Sequence, residues 1–505
     1  MKLRLRWHDS IFIALFLYLF AAQIQAIWPF TIDDMYISLR YAKNWAAGNG
    51  LVWNVHASPV EGYSNFSFVV IGAVTLLLNG NPVVALKIAG LLGLFFTCIF
   101  IYLISRFWFA KREALLPCLC LLFYKGQIIW AVSGLETAVY EALICGAVYF
   151  CFKGMGYCFY PQGRGQSRLC AFIFAGIFLS IAGMTRPEAP VLMSVFFLLI
   201  CWDRPKSERK KYGYHVLFFS LTILLCYAPY FFWRLHYFGY LFPNSVYCKG
   251  MAQTNTFALD IHYMKLIWPF ILLSLPACIK AQDRRHYFLW VPSVAYLLML
   301  IDADPVVAFA NRLFLPAFAL LLPLAVQGIS TILLWYLQER DTGFLYCFYF
   351  LVGCATWFFI PRMTLAEYRY FSETPIKGEQ LRSDVASWLA SHAALGSTVV
   401  LADSGQIPYQ SELNFIDSYC LNNVVMAHYP VAQRDELFCK NSLLAQPEII
   451  ILTSLVEHGT VIYTPADACL NTQIRQRGDY KLTKYFESKT QESTYRYELL
   501  VHQPH

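Results

Sequence analysis

"IFIALFLYLFAAQIQAIWPFTIDDMYISLRYAKNWAAGNG", residues 11–50, decides the reading of this chain. An apolar run about one bilayer thick opens it. Two aspartates, Asp33 and Asp34, follow within a few residues, and then an amphipathic pattern closes on Gly48 and Gly50. The basic start "MKLRLRW" is expected to stay in the cytoplasm, and with no obvious small-residue cleavage site the run 11–30 reads as a retained first span. The acid pair then emerges on the far face. At about 100° per residue, Met35, Leu39, Ala42 and Ala46 form an apolar stripe. Asp33, Tyr36, Arg40, Lys43 and Asn44 gather opposite it, so this helix is expected to lie on the membrane surface.

Composition supports a membrane setting. The 505 residues are 58% hydrophobic and only 14% charged, where a soluble chain carries roughly a quarter charged residues. Net charge is +7 and mean hydropathy +0.47. Residues 64–78 are short for a span and suit a second interfacial helix; were they to cross, Arg106, Lys111 and Arg112 would fall outside, against the positive-inside rule. Spans are expected near 11–30, 83–105, 113–129, 135–152, 169–185, 188–202, 213–233, 263–280, 287–301, 307–335 and 342–361. The loops "KGMGYCFYPQGRGQSR", "DRPKSERKKYG", "KAQDRR" and "QERD" then lie inside with most of the basic residues. The fold class is a polytopic α-helical membrane protein of about eleven spans, with interfacial helices in the first outer loop.

Residues 1–361 are read as the membrane domain, with 31–82 as its first outer loop. From about residue 362 composition shifts. "STVVLAD", "NFIDSY", "PEIIILTS" and "YRYELLVHQ" read as strands and "RSDVASWLASHAAL" as an amphipathic helix, so 362–505 is expected to be a small α/β domain on the outer face. Most of the 16 cysteines lie in apolar runs as small hydrophobes; Cys420, Cys439 and Cys469 lie in the polar tail, where a disulfide is open in an oxidising compartment.

One aspartate suffices to cap a helix. Two at the bilayer rim cost more to desolvate, which points to a site: general-base activation of a hydroxyl, or a divalent cation. Other candidates sit at outer-face boundaries. Arg186 and Glu188 flank Pro187, where a helix start explains the proline and the acid but not the arginine; a cation there suits a lipid phosphate. Glu136 reads either as a helix-start acid or as a site residue. Glu61 and Tyr63 either anchor the loop or bind sugar hydroxyls. Asn244, Tyr247 and Lys249 follow a proline in an outer loop, with Lys249 a phosphate ligand or a solvated lysine. Arg312 is a rim charge.

The order of the acid pair, "RYA", "GNG" and "VEGYSN" (60–65) resembles the first outer loop of the C-type (GT-C) superfamily of membrane glycosyltransferases, nearest to the mycobacterial terminal arabinofuranosyltransferase branch. "SGLETAVY" (133–140), "TRPEAP" (185–190), "FPNSVYCKG" (242–250), "NRLFLPAF" (311–318) and "DSGQIPYQSELNFIDSYCLNN" (403–423) extend the resemblance along most of the chain. "DADPVVAFANR" (302–312) departs from that branch, which has a glycine-rich acidic patch there. The resemblance implies inverting transfer of a sugar from a polyprenyl-phosphate carrier to an envelope glycan, glycolipid or protein, at the periplasmic face of a bacterial inner membrane. It implies Asp33 as the catalytic base with Asp34 as partner or substitute. The lipid bilayer is the expected surrounding and nucleic acid is not an expected partner. A transporter or flippase of lipid-linked sugars shares the span count and rim charges, and a non-catalytic envelope scaffold is a third reading.

Overall fold

The computed structural model describes residues 7–205, 208–249, 258–281, 283–301, 303, 305–337, 360, 362–489 and 493–503. A helix at Trp7–Ile27 leads directly to the acid pair, and the next helix is Asp34–Ala46, one residue later than its expected start. It packs against the apolar helix Phe66–Leu77. Both lie over a bundle built from Pro82–Ser105, Thr137–Gly154, Leu169–Thr185, Arg209–Phe238, Ala258–Ile279 and Leu315–Leu337. Gly93 lies so close to the Ala138–Val139 backbone that a Cβ there would meet it at 2.6 Å. A small residue is what lets two apolar helices approach to this distance. Leu217, Leu224, Leu225 and Phe232 of the long helix Arg209–Phe238 stand exposed, as lipid-facing side chains do.

Four helices among the described residues are long and apolar enough to cross a membrane, and a bent pair would make a fifth. The expected count of about eleven is therefore met only in part. Ala189–Trp202 and Tyr287–Met299 have 14 and 13 residues, fewer than a straight crossing takes, and Leu169–Thr185, with 17, is at the lower limit. Most of the span expected at 342–361 lies outside the described residues. The span expected at 113–129 is broken: Glu113–Phe123 and Lys125–Val132 meet at 69°. Tyr124 between them is extended, at φ −76° and ψ 120°, and Lys125 leaves the apolar row to pair with Glu367.

The C-terminal α/β domain is present. Helix Leu365–His392 begins with a capping box between Thr364 and Glu367. The sheet has the order β2 (Asn414–Asp417), β1 (Thr398–Leu401), β3 (Ile449–Glu457), β6 (Ser493–His502), β5 (Tyr480–Lys489), with β4 (Thr460–Tyr463) pairing the end of β3. β1 is parallel to both β2 and β3, and β6 is antiparallel to both β3 and β5. Ile449–Leu452 are all buried, as a central strand covered on both faces requires. Ile37, Tyr41, Trp53 and Tyr63 of the first loop share one apolar core with Val385, Val399, Leu413 and Leu421 of this domain. Among the described residues two disulfides are formed: Cys439–Cys469 inside the domain, and Cys248–Cys420, which joins it to the short helix Asn244–Lys249 beside the bundle.

Candidate active site

The two aspartates have separate surroundings. Asp33 is helical in backbone and makes no capping bond, so the capping role weighed for it is not the one it plays. Its Oδ1 accepts from the Gln406 backbone N–H at 2.9 Å and pairs with Arg382 Nε at 3.2 Å. Gly405, which precedes Gln406, lies against the Asp33 carbonyl and carboxylate with no room for a Cβ. This contact lies just beyond the carboxyl end of β1, where ligands of open parallel sheets bind. Here the crevice receives a side chain from the membrane domain. Burial pushes the Asp33 carboxyl up to about 6; Arg382 pulls it down, and Asp403 adds to the rise. Asp403 itself accepts from the hydroxyls of Tyr495 and Tyr497.

Asp34, one residue on, has a different partner, Lys249. It lines a cavity of about 330 Å³ together with Tyr63, Asn65, Glu136, Arg186, Glu188, Lys249 and Arg312. Its side chain is 41% exposed and its Oδ2 lies 3.5 Å from Lys249 Nζ. Three acids and three basic side chains therefore meet in this space. Glu136, fully buried, organises them. Its Oε1 accepts from Arg186 Nη1 at 2.5 Å and Arg312 Nη2 at 2.8 Å, and its Oε2 from Asn65 Nδ2 at 2.8 Å. Glu188 takes Arg186 in a two-point grip at 3.0 and 2.7 Å. Arg312 also donates to Thr137 Oγ1 at 3.0 Å. Its placement rests on a strained turn: Ala310 and Asn311 have φ of +48° and +54°. Tyr124 holds that turn by donating to the Ala310 carbonyl while accepting from Asn311 Nδ2. The Ser38 hydroxyl donates to Asn65 Oδ1 at 2.7 Å, which ties the Asp34 helix to the same network.

Of the residues singled out in the sequence, Asp34, Tyr63, Glu136, Arg186, Glu188, Lys249 and Arg312 come together here. Asp33, Arg40, Glu61, Asn244 and Tyr247 do not line the cavity. Arg40 is a buried strut to the soluble domain, donating to the Trp53, Pro408 and Leu413 carbonyls. Glu61 is buried against Arg234 at 2.7 Å. Asn244 donates to the Leu421 carbonyl at 3.0 Å, and the Tyr247 ring packs on His428 at 4.2 Å. All five serve contacts between segments distant in sequence, which local patterning does not show. Asn65 ends "VEGYSN" but is uncharged, so nothing in the sequence marks it as part of the cavity. Arg382 carries no sequence signal beyond its helix.

The Asp33 carboxylate is turned to Gln406 and Arg382, and that of Asp34 to Lys249. Among the described residues no three His, Cys, Asp or Glu side chains come together as metal ligands.

The arrangement of bundle, first-loop helices and soluble domain has solved counterparts. ArnT from Cupriavidus metallidurans, bound to undecaprenyl phosphate, superposes with a TM-score of 0.58 at 12% identity, covering 95% of this chain and 98% of that one. The archaeal oligosaccharyltransferase AglB from Archaeoglobus fulgidus, in complex with an inhibitory peptide and a dolichol-phosphate, gives 0.57 at 10% identity, covering 95% and 80%. The fold is that of the C-type membrane glycosyltransferases. The mycobacterial arabinofuranosyltransferase AftD aligns more loosely, at a TM-score of 0.47 and 12% identity, over 96% of this chain and 41% of that one. Residues 367–500 match a family described as a domain of unknown function (DUF8728). No curated protein matches by sequence.

Proposed function

We propose that this protein is an inverting glycosyltransferase that moves a sugar from a polyprenyl-phosphate carrier to an envelope glycan, glycolipid or protein at the outer face of a bacterial inner membrane. One observation carries the reading: a solvent-reached carboxylate, Asp34, shares a cavity with Arg186, Lys249 and Arg312. The acceptor hydroxyl attacks the anomeric carbon, the bond from that carbon to the phosphate oxygen breaks, and the hydroxyl proton passes to Asp34. General-base help of this kind contributes roughly 10²–10⁴-fold. The leaving polyprenyl phosphate gains negative charge, which fixed cations stabilise without reorganising. Glu136 and Glu188 hold the two guanidiniums in place before substrate arrives. The two disulfides support an oxidising, outer-face setting for the soluble domain. In this reading Asp34, rather than Asp33, is the reacting acid.

The test is transfer by the purified full chain from a panel of synthetic polyprenyl-phosphate sugars. Release of free polyprenyl phosphate together with a glycosylated acceptor is expected from one donor class. Movement of intact donor across a vesicle bilayer, with no transfer from any donor, would instead establish the flippase reading.

A further inference from the structure

Lys249 is brought to Asp34 by an unusually short element. Helix Asn244–Lys249 has six residues, far below the length at which a helix holds itself together in isolation. Its position is borrowed from the soluble domain at both ends. At the start, Asn244 donates to the Leu421 carbonyl at 3.0 Å. At the finish, Cys248 is bonded to Cys420, 172 positions away in sequence. The next residue, Lys249, carries its ammonium 5.4 Å above the Tyr419 ring and 3.5 Å from Asp34 Oδ2. On the other strand of the link, Leu421 lines the cavity directly after Cys420. The disulfide thus joins two segments whose following residues are both cavity wall.

We infer that the Cys248–Cys420 disulfide is a positioning element of the cavity, through which the soluble domain sets Lys249 against Asp34. As far as turnover is concerned this rests on the transferase reading above. The soluble domain is then a working part of the site and not an appended module. Displacement of a charged group by about 1 Å can cost on the order of 10²-fold in rate.

The experiment compares full-length native protein with C248S/C420S and, as a control for loss of a disulfide elsewhere, C439S/C469S. Two quantities are read: the rate of sugar transfer, and acetylation of Lys249 relative to the exposed Lys481 by peptide mass analysis. C248S/C420S is expected to lower kcat on the order of 10- to 100-fold and to raise the Lys249 labelling ratio severalfold. C439S/C469S should do neither. Adding Lys249→Ala to C248S/C420S should cost little more, because the two changes act on one group. Unchanged labelling in folded C248S/C420S, or fully multiplicative losses with Lys249→Ala, overturns the inference. If the native protein transfers no sugar, the transferase reading falls while the labelling ratio still decides this one. If C248S/C420S does not fold, the remaining Cys248–Cys420 bond of folded C439S/C469S is reduced in place, and a Lys249 labelling ratio that stays at the native value overturns the inference.

Discussion

Replacing each of the two adjacent aspartates by asparagine separates their roles. In Asp34→Asn the shape is kept and the ability to take a proton is lost. The structural cost is small, because the side chain is 41% exposed and its ion pair to Lys249 spans 3.5 Å. Asp34 is the exposed partner and Lys249 the more buried one, at 15% exposure, so loss of the pair costs on the order of 1 kcal/mol. The catalytic cost is the whole general-base contribution, roughly 10²–10⁴-fold. At about 1.4 kcal/mol per decade that is ~3–5 kcal/mol on the barrier. Asp33→Asn reverses the balance. Its carbonyl oxygen still accepts from the Gln406 N–H, and Arg382 keeps Asp403 at 3.6 Å. Turnover should stay within about tenfold of native, since no proton-accepting group leaves the cavity. The assay is the initial rate of polyprenyl phosphate release by purified full-length protein at saturating donor, with a melting curve for each variant. Near-native turnover in Asp34→Asn, with turnover abolished in a folded Asp33→Asn, would refute the assignment of the reacting acid to the cavity-facing position.

The raised Asp33 carboxyl gives a pH dependence with a defined sign. Folding favours its protonated form, so its contribution to stability is complete below about pH 4 and is lost as pH rises through about 6. A rise from 3.8 to about 6 corresponds to about 3 kcal/mol at most, and melting temperature against pH should fall more steeply over that window in native protein than in Asp33→Asn; parallel curves would contradict it. Glu61→Ala leaves the buried Arg234 guanidinium without its carboxylate, which should cost ~3–5 kcal/mol, read as a lowered melting temperature with the cavity residues untouched. Gly405→Ala places a methyl group against Asp33 and should loosen the soluble domain, seen as faster hydrogen exchange at the start of helix Asp34–Ala46; native exchange there would show that the contact is dispensable.

The sequence by itself determined the class of protein and the raw material of the site. Apolar length and the placement of basic residues marked a membrane chain, because the bilayer demands long apolar helices and sorts Lys and Arg by side. The run Ile449–Leu452 and the alternating segments near it fixed a sheet, since strand burial is written locally in hydrophobicity. The acid pair, Arg186 and Glu188 were legible because charges beside long apolar runs are rare and therefore conspicuous. Tertiary structure alone decided which aspartate faces the cavity. Successive residues at the start of a helix point about 100° apart, so one carboxylate meets the soluble domain and its neighbour meets Lys249. It also decided that Arg40, Glu61, Asn244 and Tyr247 are struts, and that Cys248 bonds Cys420 across 172 positions. Those partners are set by how two domains dock, and a contact between distant segments leaves no periodic trace in either one.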